Sequence, residues 1–534
     1  MIKEKRKREM GMKDKTIDRL FIPGLFLLSI VFGMLLQKLM QPKETYRYIL
    51  IVLFLVFFIV VLIWKYRENI TDRKVILILF LLAFAARLVY VLDISILVNQ
   101  HDTRSFSVLE NNYGHTGYIR YLLEEMHLPD FDVRGKSQFY HPPLHHLLCA
   151  VWIKIQTAIG LSFEDATENL QLLTLFYSMV SLFAVKKILD LFQVKGMAYY
   201  AAFSLVAFHP TFFLLAGSIN NDGLSVMFVF LAVYAALAWY RNPTWYRIIG
   251  LALCIGLSMC AKLATGVIAP AVAFLFLLRF VRDRGLRAKG KRIGQFALFG
   301  VVCIPLGIGW QVRNYLRFGV PLTYVPRLSD QADQYLGNYS VTERFLDFRS
   351  LLDFGVFPAR TGQQGATYFE HNIPLAAVKS SLFGEYSVWK SKDALNIFSA
   401  VLFWIAVVLT VVACICAVCM IVRMIRHKSV RFTSEYRMTP AEGLFFLLYT
   451  LTILGSYVVF CFSYPHFCSM DFRYIVPLLL IGAALLGVSF NRLSEKYRDG
   501  EEIRSRAARF AVGALLGSTV LFSVLSVILY PLYF

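Results

Sequence analysis

The sequence predicts an all-α polytopic membrane protein of about thirteen crossings, with two long outer loops. Three observations lead there. Apolar runs of membrane-spanning length recur from Phe21 to Leu532 in a chain of 534 residues that is 57% hydrophobic, well above the apolar share of soluble domains. The mean hydropathy is +0.58. Lys and Arg gather in the short intervals between the runs, at Lys3–Arg8, Arg67–Lys74, Arg279–Arg292, Arg423–Arg437 and Arg492–Arg509. That is the positive-inside pattern, and it places those loops in the cytoplasm.

The same distribution disposes of a nucleic-acid reading of the net charge of +20, because the cations sit between membrane segments and not on one basic face. The nine cysteines are odd in number, and six of them (Cys254, Cys260, Cys303, Cys414, Cys416 and Cys419) lie inside apolar runs. This argues against a disulfide framework. Cys461 and Cys468 flank one outer turn and either pair or stay free.

The basic head Met1–Asp18 precedes an apolar run without a small-residue cleavage site, so it reads as a cytoplasmic N-terminus before an uncleaved first helix. Phe21–Leu39, Tyr48–Trp64 and Val75–Leu92 give three crossings, the third carrying Arg87. An intramembrane Arg needs a polar partner or cavity; here it is expected to support the next loop from below. Residues 95–169 then form the first outer loop. Within it Leu144–Ile159 is short and interrupted by His145, His146 and Lys154. A full crossing there would throw Arg279–Arg292 outside, so it reads as an interfacial helix, with Pro142-Pro143 suited to its first turn. Leu170–Leu191, Met197–Gly217, Leu224–Tyr240, Ile248–Cys260, Val267–Phe280 and Ile293–Trp310 alternate up to a second outer loop at residues 311–394. Leu395–Val422, Leu444–Cys461, Tyr474–Phe490 and Phe510–Tyr530 complete the set.

This topology brings Asp102, His141, Asn221, Asp222, Lys262, Arg313, Glu385, Asp471 and Arg473 to the outer face or just beneath it. Acids and bases gathered at one interface of a membrane protein point to a site. An early aspartate, Asp102, is followed in order by Tyr140-His-Pro-Pro-Leu144, Asn221-Asp-Gly-Leu224, Ala261-Lys-Leu-Ala-Thr265, Trp310-Gln-Val-Arg-Asn-Tyr315 with Phe318-Gly319, and Asp471-Phe-Arg-Tyr-Ile-Val-Pro477. In this order the series resembles glycosyltransferase family 39, the group of the dolichyl-phosphate-mannose protein mannosyltransferases, within the GT-C fold. The resemblance runs from roughly Val75 to the end. It makes residues 75–534 the core and residues 1–74 a basic tail with two additional helices. Asp102 is followed by Thr103, where the family often has an Asp-Glu pair.

The resemblance implies sugar transfer from a polyprenyl-phosphate donor to a protein, lipid or glycan acceptor on the extracytoplasmic face, with inversion and without a required cofactor. Glycosyl transfer to a hydroxyl needs a base for the acceptor proton and cations for the departing phosphate. Asp102 is the expected base, against a solvated helix cap. Asp222 is a second acid, although Asn221-Asp222-Gly223 is also an ordinary helix-start turn. Lys262 is expected on the donor phosphate, against a snorkelling lysine. Arg473 is expected on donor phosphate or sugar, against an ion pair with Asp471. Arg313 and His141 are further donor contacts, and Arg313 equally suits a helix-end anchor. Asn221, Glu385, Tyr386 and Asp471 are acceptor or loop residues. His141 and His145 lie four apart, a spacing that can hold a divalent metal, but no glutamate completes a zinc-protease motif and no metal is assigned. The second loop brings Tyr324, Tyr335, Tyr339 and Tyr368 for sugar stacking or interface anchoring. A flippase of lipid-linked sugars and a polymerase of surface polysaccharide remain as alternatives. The lack of a retrieval signal and the very short tail after the last run favour a bacterial plasma membrane, where membrane lipids surround the chain.

Overall fold

In the computed structural model the described residues are 21–39, 44–67, 71–97, 106, 114–332, 334–352, 370–384, 393–426, 438–496 and 502–532. They are helical throughout, apart from turns and one isolated bridge between Tyr335 and His466. Among them ten helices are long and apolar enough to cross a membrane, or eleven when one bent pair counts as a span. Three further apolar helices, Phe21–Leu36, Trp245–Ala261 and Ile373–Phe383, fall short of spanning length by that measure. The thirteen runs read from hydropathy fall on helices, of which ten or eleven among the described residues are of spanning length.

The bent pair departs from expectation. A single span at Met197–Gly217 is instead Gly196–Ala207 followed by Pro210–Gly217, bent by 40°. Pro210 has no N–H to continue the helix and forces His209 into extended backbone, φ −69° and ψ 132°, as residues before proline prefer. His209 then caps the new helix at the Thr211 N–H, 3.3 Å away. The break leaves carbonyls without helical partners. Arg87, fully buried in the Asp72–Asp93 helix, reaches one of them at Val206 (3.5 Å) and lies against the rings of Phe212 and Phe213. It supports a helix end and is not among the residues that line the 690 Å³ cavity described below.

Leu144–Ala158 is a 15-residue helix that packs on Gly114–Glu125 and Phe163–Glu168 and is absent from the spanning set. Its buried side carries His145, His146, Cys149 and Ile153, whereas Leu147, Leu148, Val151 and Ile155 face outward. That amphipathicity suits a helix lying at the membrane boundary.

The helices that build the cavity wall are tied at both ends. Asp222–Arg241 packs between Leu170–Leu191 and Trp245–Ala261, and the latter packs along Leu286–Phe318. A Cβ on Gly256 would stand 2.9 Å from the Leu306 side chain, so the small residue lets these two backbones approach closely. On the basic-loop side Arg241, in the last turn of its helix, bonds Glu442 at 2.5 Å. Glu442 also completes a capping box with Thr439 at the start of Pro440–Ser463, a placement that suits both helix dipoles.

The second long loop contains an unexpected helix, Ile373–Phe383. Its Lys379 bonds Glu370 at 2.7 Å and the Ser350 carbonyl at 2.8 Å, with both charged side chains fully buried. Breaking a buried pair leaves an uncompensated charge, so Lys379→Met is expected to cost about 3–5 kcal/mol. Pairing it with Glu370→Leu should recover much of that loss. Unfolding of the two variants in detergent checks this, and equal stabilities of Lys379→Met and wild type would contradict it.

Candidate functional site

Three helix termini meet at the loop face of the bundle. Asn221 precedes the Asp222–Arg241 helix, and its Nδ2 donates to the Ala261 carbonyl at 2.8 Å. That bond joins the start of one helix to the end of the next, Trp245–Ala261. Lys262 follows in extended backbone, φ −151° and ψ 111°, before the turn Leu263–Ile268. Its Nζ therefore lands on Asp222 Oδ1. Arg473, in the turn Phe472–Tyr474, sets its guanidinium 4.0 Å from Asp222 Oδ2. The Tyr474 ring serves both cations, 4.6 Å from Lys262 Nζ and 5.2 Å from the Arg473 guanidinium carbon, distances at which cation–π attraction operates.

This cluster lies in the wall of a cavity of about 690 Å³. Towards the loops the cavity is lined by His115, Tyr140, His141, Gln311, Asn314 and Tyr324; Phe460 and Pro477 line it beside Tyr474, and Val226, Val229, Tyr449 and Ile453 line it further along their helices. It therefore has a polar aromatic mouth, a charged waist and an apolar branch.

Behind the mouth stands a ladder of rings. His141 stacks on His115 (5.7 Å between centroids), His115 on His146 (5.1 Å) and His146 on Tyr118 (4.2 Å). His115 Nδ1 and His146 Nε2 share a hydrogen bond of 2.8 Å. Burial pushes the imidazoles of His115, His141 and His146 well below their ordinary range, and the positive charge of Lys262 adds to the effect at His141 and, last in order, at His115. Burial lowers His145 to about 4, opposed by its bond to the Ile219 carbonyl and by the charge of Asp222. Neutral imidazoles leave Lys262 and Arg473 as the cations of the cavity. His141 and His145 do not share a face: His141 lines the cavity, while His145 turns to the Ile219 carbonyl at 2.7 Å. Among the described residues no three His, Cys, Asp or Glu side chains converge as a metal site.

Of the residues singled out in the sequence, His141, Asn221, Asp222, Lys262 and Arg473 come together in one cavity. Asp471 stands outside its lining and accepts the Arg473 backbone N–H at 2.7 Å. Arg313 is also outside, stacked over Trp310 and bonded to the Pro129 carbonyl, so it anchors a helix end against the first loop. Its neighbours Gln311 and Asn314 line the cavity in its place. Gly307, Trp310, Gln311 and Asn314 form the buried stripe of this helix, at the i, i+3, i+4, i+7 spacing of one helical face, and Arg313 lies off that stripe. Asp102, Glu385 and Tyr386 fall outside the described residues.

Residues 140–308 match the family model of the dolichyl-phosphate-mannose-protein mannosyltransferases. Over this stretch the chain is similar to those mannosyltransferases. The matched stretch holds His141, Asn221, Asp222 and Lys262. No curated protein matches the chain in sequence. Solved structures of the Archaeoglobus fulgidus oligosaccharyltransferase are similar at low identity. One, a complex with zinc and sulfate, has 15% identity and a TM-score of 0.45 over 84% of this chain and 53% of that one. Another, AglB with an inhibitory peptide and a dolichol-phosphate, has 13% identity and a TM-score of 0.46 over 84% and 56%. The chain thus spans little more than half the length of these structures.

The buried histidines carry a pH consequence. Their folded pKa values lie below the ordinary imidazole value of about 6.5, so the unfolded chain binds more protons in the interval between. Their contribution to stability is complete above about 6.5 and is lost as pH falls towards the folded value, about 4 for His145. His145→Gln, which keeps a donor for the Ile219 carbonyl, is expected to flatten the fall in melting temperature between about pH 7 and 5. An unchanged slope would remove His145 from the acid response.

Proposed function

We propose that the mannosyltransferase-like chain transfers a sugar from a polyprenyl-phosphate donor to an acceptor hydroxyl at its loop face, the extracytoplasmic side of a bacterial plasma membrane. The observation that supports this best is the three-part cavity, which matches the three parts of such a donor in order. The prenyl chain would lie along Val226, Val229, Tyr449 and Ile453, the phosphate at Lys262 and Arg473, and the sugar against Tyr140, His141, Gln311 and Asn314. The family match supports a lipid-phosphate sugar as the donor class.

In the proposed reaction the acceptor oxygen attacks the anomeric carbon and the bond from that carbon to the phosphate oxygen breaks. The phosphate keeps the electron pair, and the acceptor proton passes to a base. A single displacement inverts the anomeric centre. Lys262 and Arg473 meet the charge that builds on the leaving phosphate. Both carboxylate oxygens of Asp222 already face these cations, which suits them to balancing charge and not to taking the acceptor proton. The base is therefore assigned to Asp102, in the loop that carries His115 and His141. The acceptor remains a protein, a lipid or a glycan, and the sugar a hexose or a pentose.

The test uses purified wild type and Asp102→Asn with a panel of radiolabelled polyprenyl-phosphate sugars. Wild type should turn over one donor, and the variant should bind that donor while losing roughly 10²–10⁴ in turnover. Full transfer by the variant would overturn Asp102 as the base. Donor that crosses liposomes intact, without cleavage by either protein, would replace the enzyme reading with a flippase.

A further inference from the structure

We infer that Asp222 is a counter-charge that competes with phosphate for Lys262 and Arg473, and that it thereby sets how readily the spent lipid phosphate leaves. The inference deepens the lipid-phosphate reading above and rests on it. Its basis is the geometry of the waist. The two cations that line the cavity do not point into it unopposed: Lys262 is seated on one oxygen of Asp222, and Arg473 stands 4.0 Å from the other. The carboxylate is nearly fully buried and begins a helix, and the Asp222 backbone N–H is held by Asn220 Oδ1 at 3.0 Å. Asn221 bonds the Ala261 carbonyl at 2.8 Å, so the helix ends stay in register and only side-chain tips are left to move. The Tyr474 ring lies within cation–π reach of both tips and can carry them through a short swing. At 4.0 Å the arginine contact is longer than a charge-assisted hydrogen bond, and Arg473 Nη2 also donates to the Tyr474 hydroxyl at 3.2 Å.

The charge balance of the reaction gives this arrangement a purpose. The donor is a phosphodiester with a single negative charge. Transfer breaks the bond from the anomeric carbon to oxygen, leaves the electron pair on the phosphate and sends the acceptor proton to the base. The departing phosphomonoester carries about −1.5 to −2 at neutral pH. Two buried cations alone would hold this product more tightly than the substrate. Asp222 offers them a partner as the phosphate departs, so they are never stranded as unpaired buried charges. It weakens binding of the more highly charged product more than binding of the donor.

The experiment measures binding of inorganic phosphate and of a short-chain polyprenyl phosphate to the full-length protein by calorimetry. Asp222→Asn is expected to bind the polyprenyl phosphate at least about tenfold tighter than wild type, and Lys262→Gln to bind it more weakly. With donor and acceptor, Asp222→Asn should show a larger ratio of first-turnover burst to steady rate than wild type. Phosphate binding that is unchanged or weaker in folded Asp222→Asn overturns the inference. Should that variant not fold, the charge-balanced Asp222→Asn/Lys262→Gln must bind phosphate more tightly than Lys262→Gln alone, and equal or weaker binding overturns it. Tightening without any sugar transfer would keep the counter-charge and sink the transferase reading. Transfer without tightening would sink the counter-charge alone.

Discussion

The contact between the Asp222 carboxylate and the Lys262 ammonium is the constraint on which the loop face depends. A buried charge that loses its partner is costly, so any arrangement of these helices must keep the two side chains in reach. They are separated by 40 positions, and the whole Asp222–Arg241 and Trp245–Ala261 hairpin lies between them. The hairpin returns to its starting height because its helices pack along each other and because Asn221 fastens one end to Ala261. Close approach at Gly256 and the Arg241–Glu442 bond hold its flank and its far end. Much of this side of the bundle can be read as scaffolding for one charge pair.

The surroundings of the pair preserve its charge. Six histidines lie within the first loop region, residues 95–169, and a positive imidazole beside Lys262 and Arg473 would add repulsion. Burial keeps His115, His141 and His146 well below their ordinary range; the three rings stack on one another, and Tyr118 covers a face of His146. The histidines thus supply shape and hydrogen bonding to the mouth, and the two cations supply the field. This division follows from exposure: a solvated imidazole could titrate near neutrality, and a stacked, enclosed one cannot do so without losing stability.

Apolar run length and the placement of Lys and Arg made the helices legible in the sequence, and the residues at helix ends (Asn221, Asp222, Lys262 and Arg473) were legible because charges at such positions demand a partner or a site. That Leu144–Ala158 is a short amphipathic helix outside the spanning set was legible from its interrupted hydropathy. Phase and pairing were harder. Arg313 looked like a cavity cation because hydropathy records where a helix ends and says little about which side faces inward; the buried stripe through Trp310, Gln311 and Asn314 points elsewhere. The break at His209-Pro210 lies inside an apolar run that is long enough to pass for one span, although the proline was its local signal. Lys379 and Glu370 read as loop charges, since only the fold of the second loop shows them buried together. The three residues Asp102, Glu385 and Tyr386 lie outside the described part of the chain, and their expected roles rest on sequence and chemistry.

The Leu144–Ala158 helix ties the cavity to the membrane surface. One of its faces is apolar and turned outward, through Leu147, Val151 and Ile155, and the other is packed inward through His145, His146, Cys149 and Ile153. A helix of this length cannot cross a bilayer, so its outward face finds its lowest free energy at the boundary between headgroups and acyl chains. Its first residues adjoin Tyr140, His141 and Pro142 of the cavity lining. His145 is bonded to the Ile219 carbonyl, two residues before Asn221. The depth at which the helix rides is therefore transmitted through a few rigid bonds to the height of the mouth and of the Asp222–Lys262 pair. In the proposed reaction a phosphate anchored in the same boundary by an apolar chain would meet Lys262 and Arg473 without leaving its own layer, because both cations sit at helix ends.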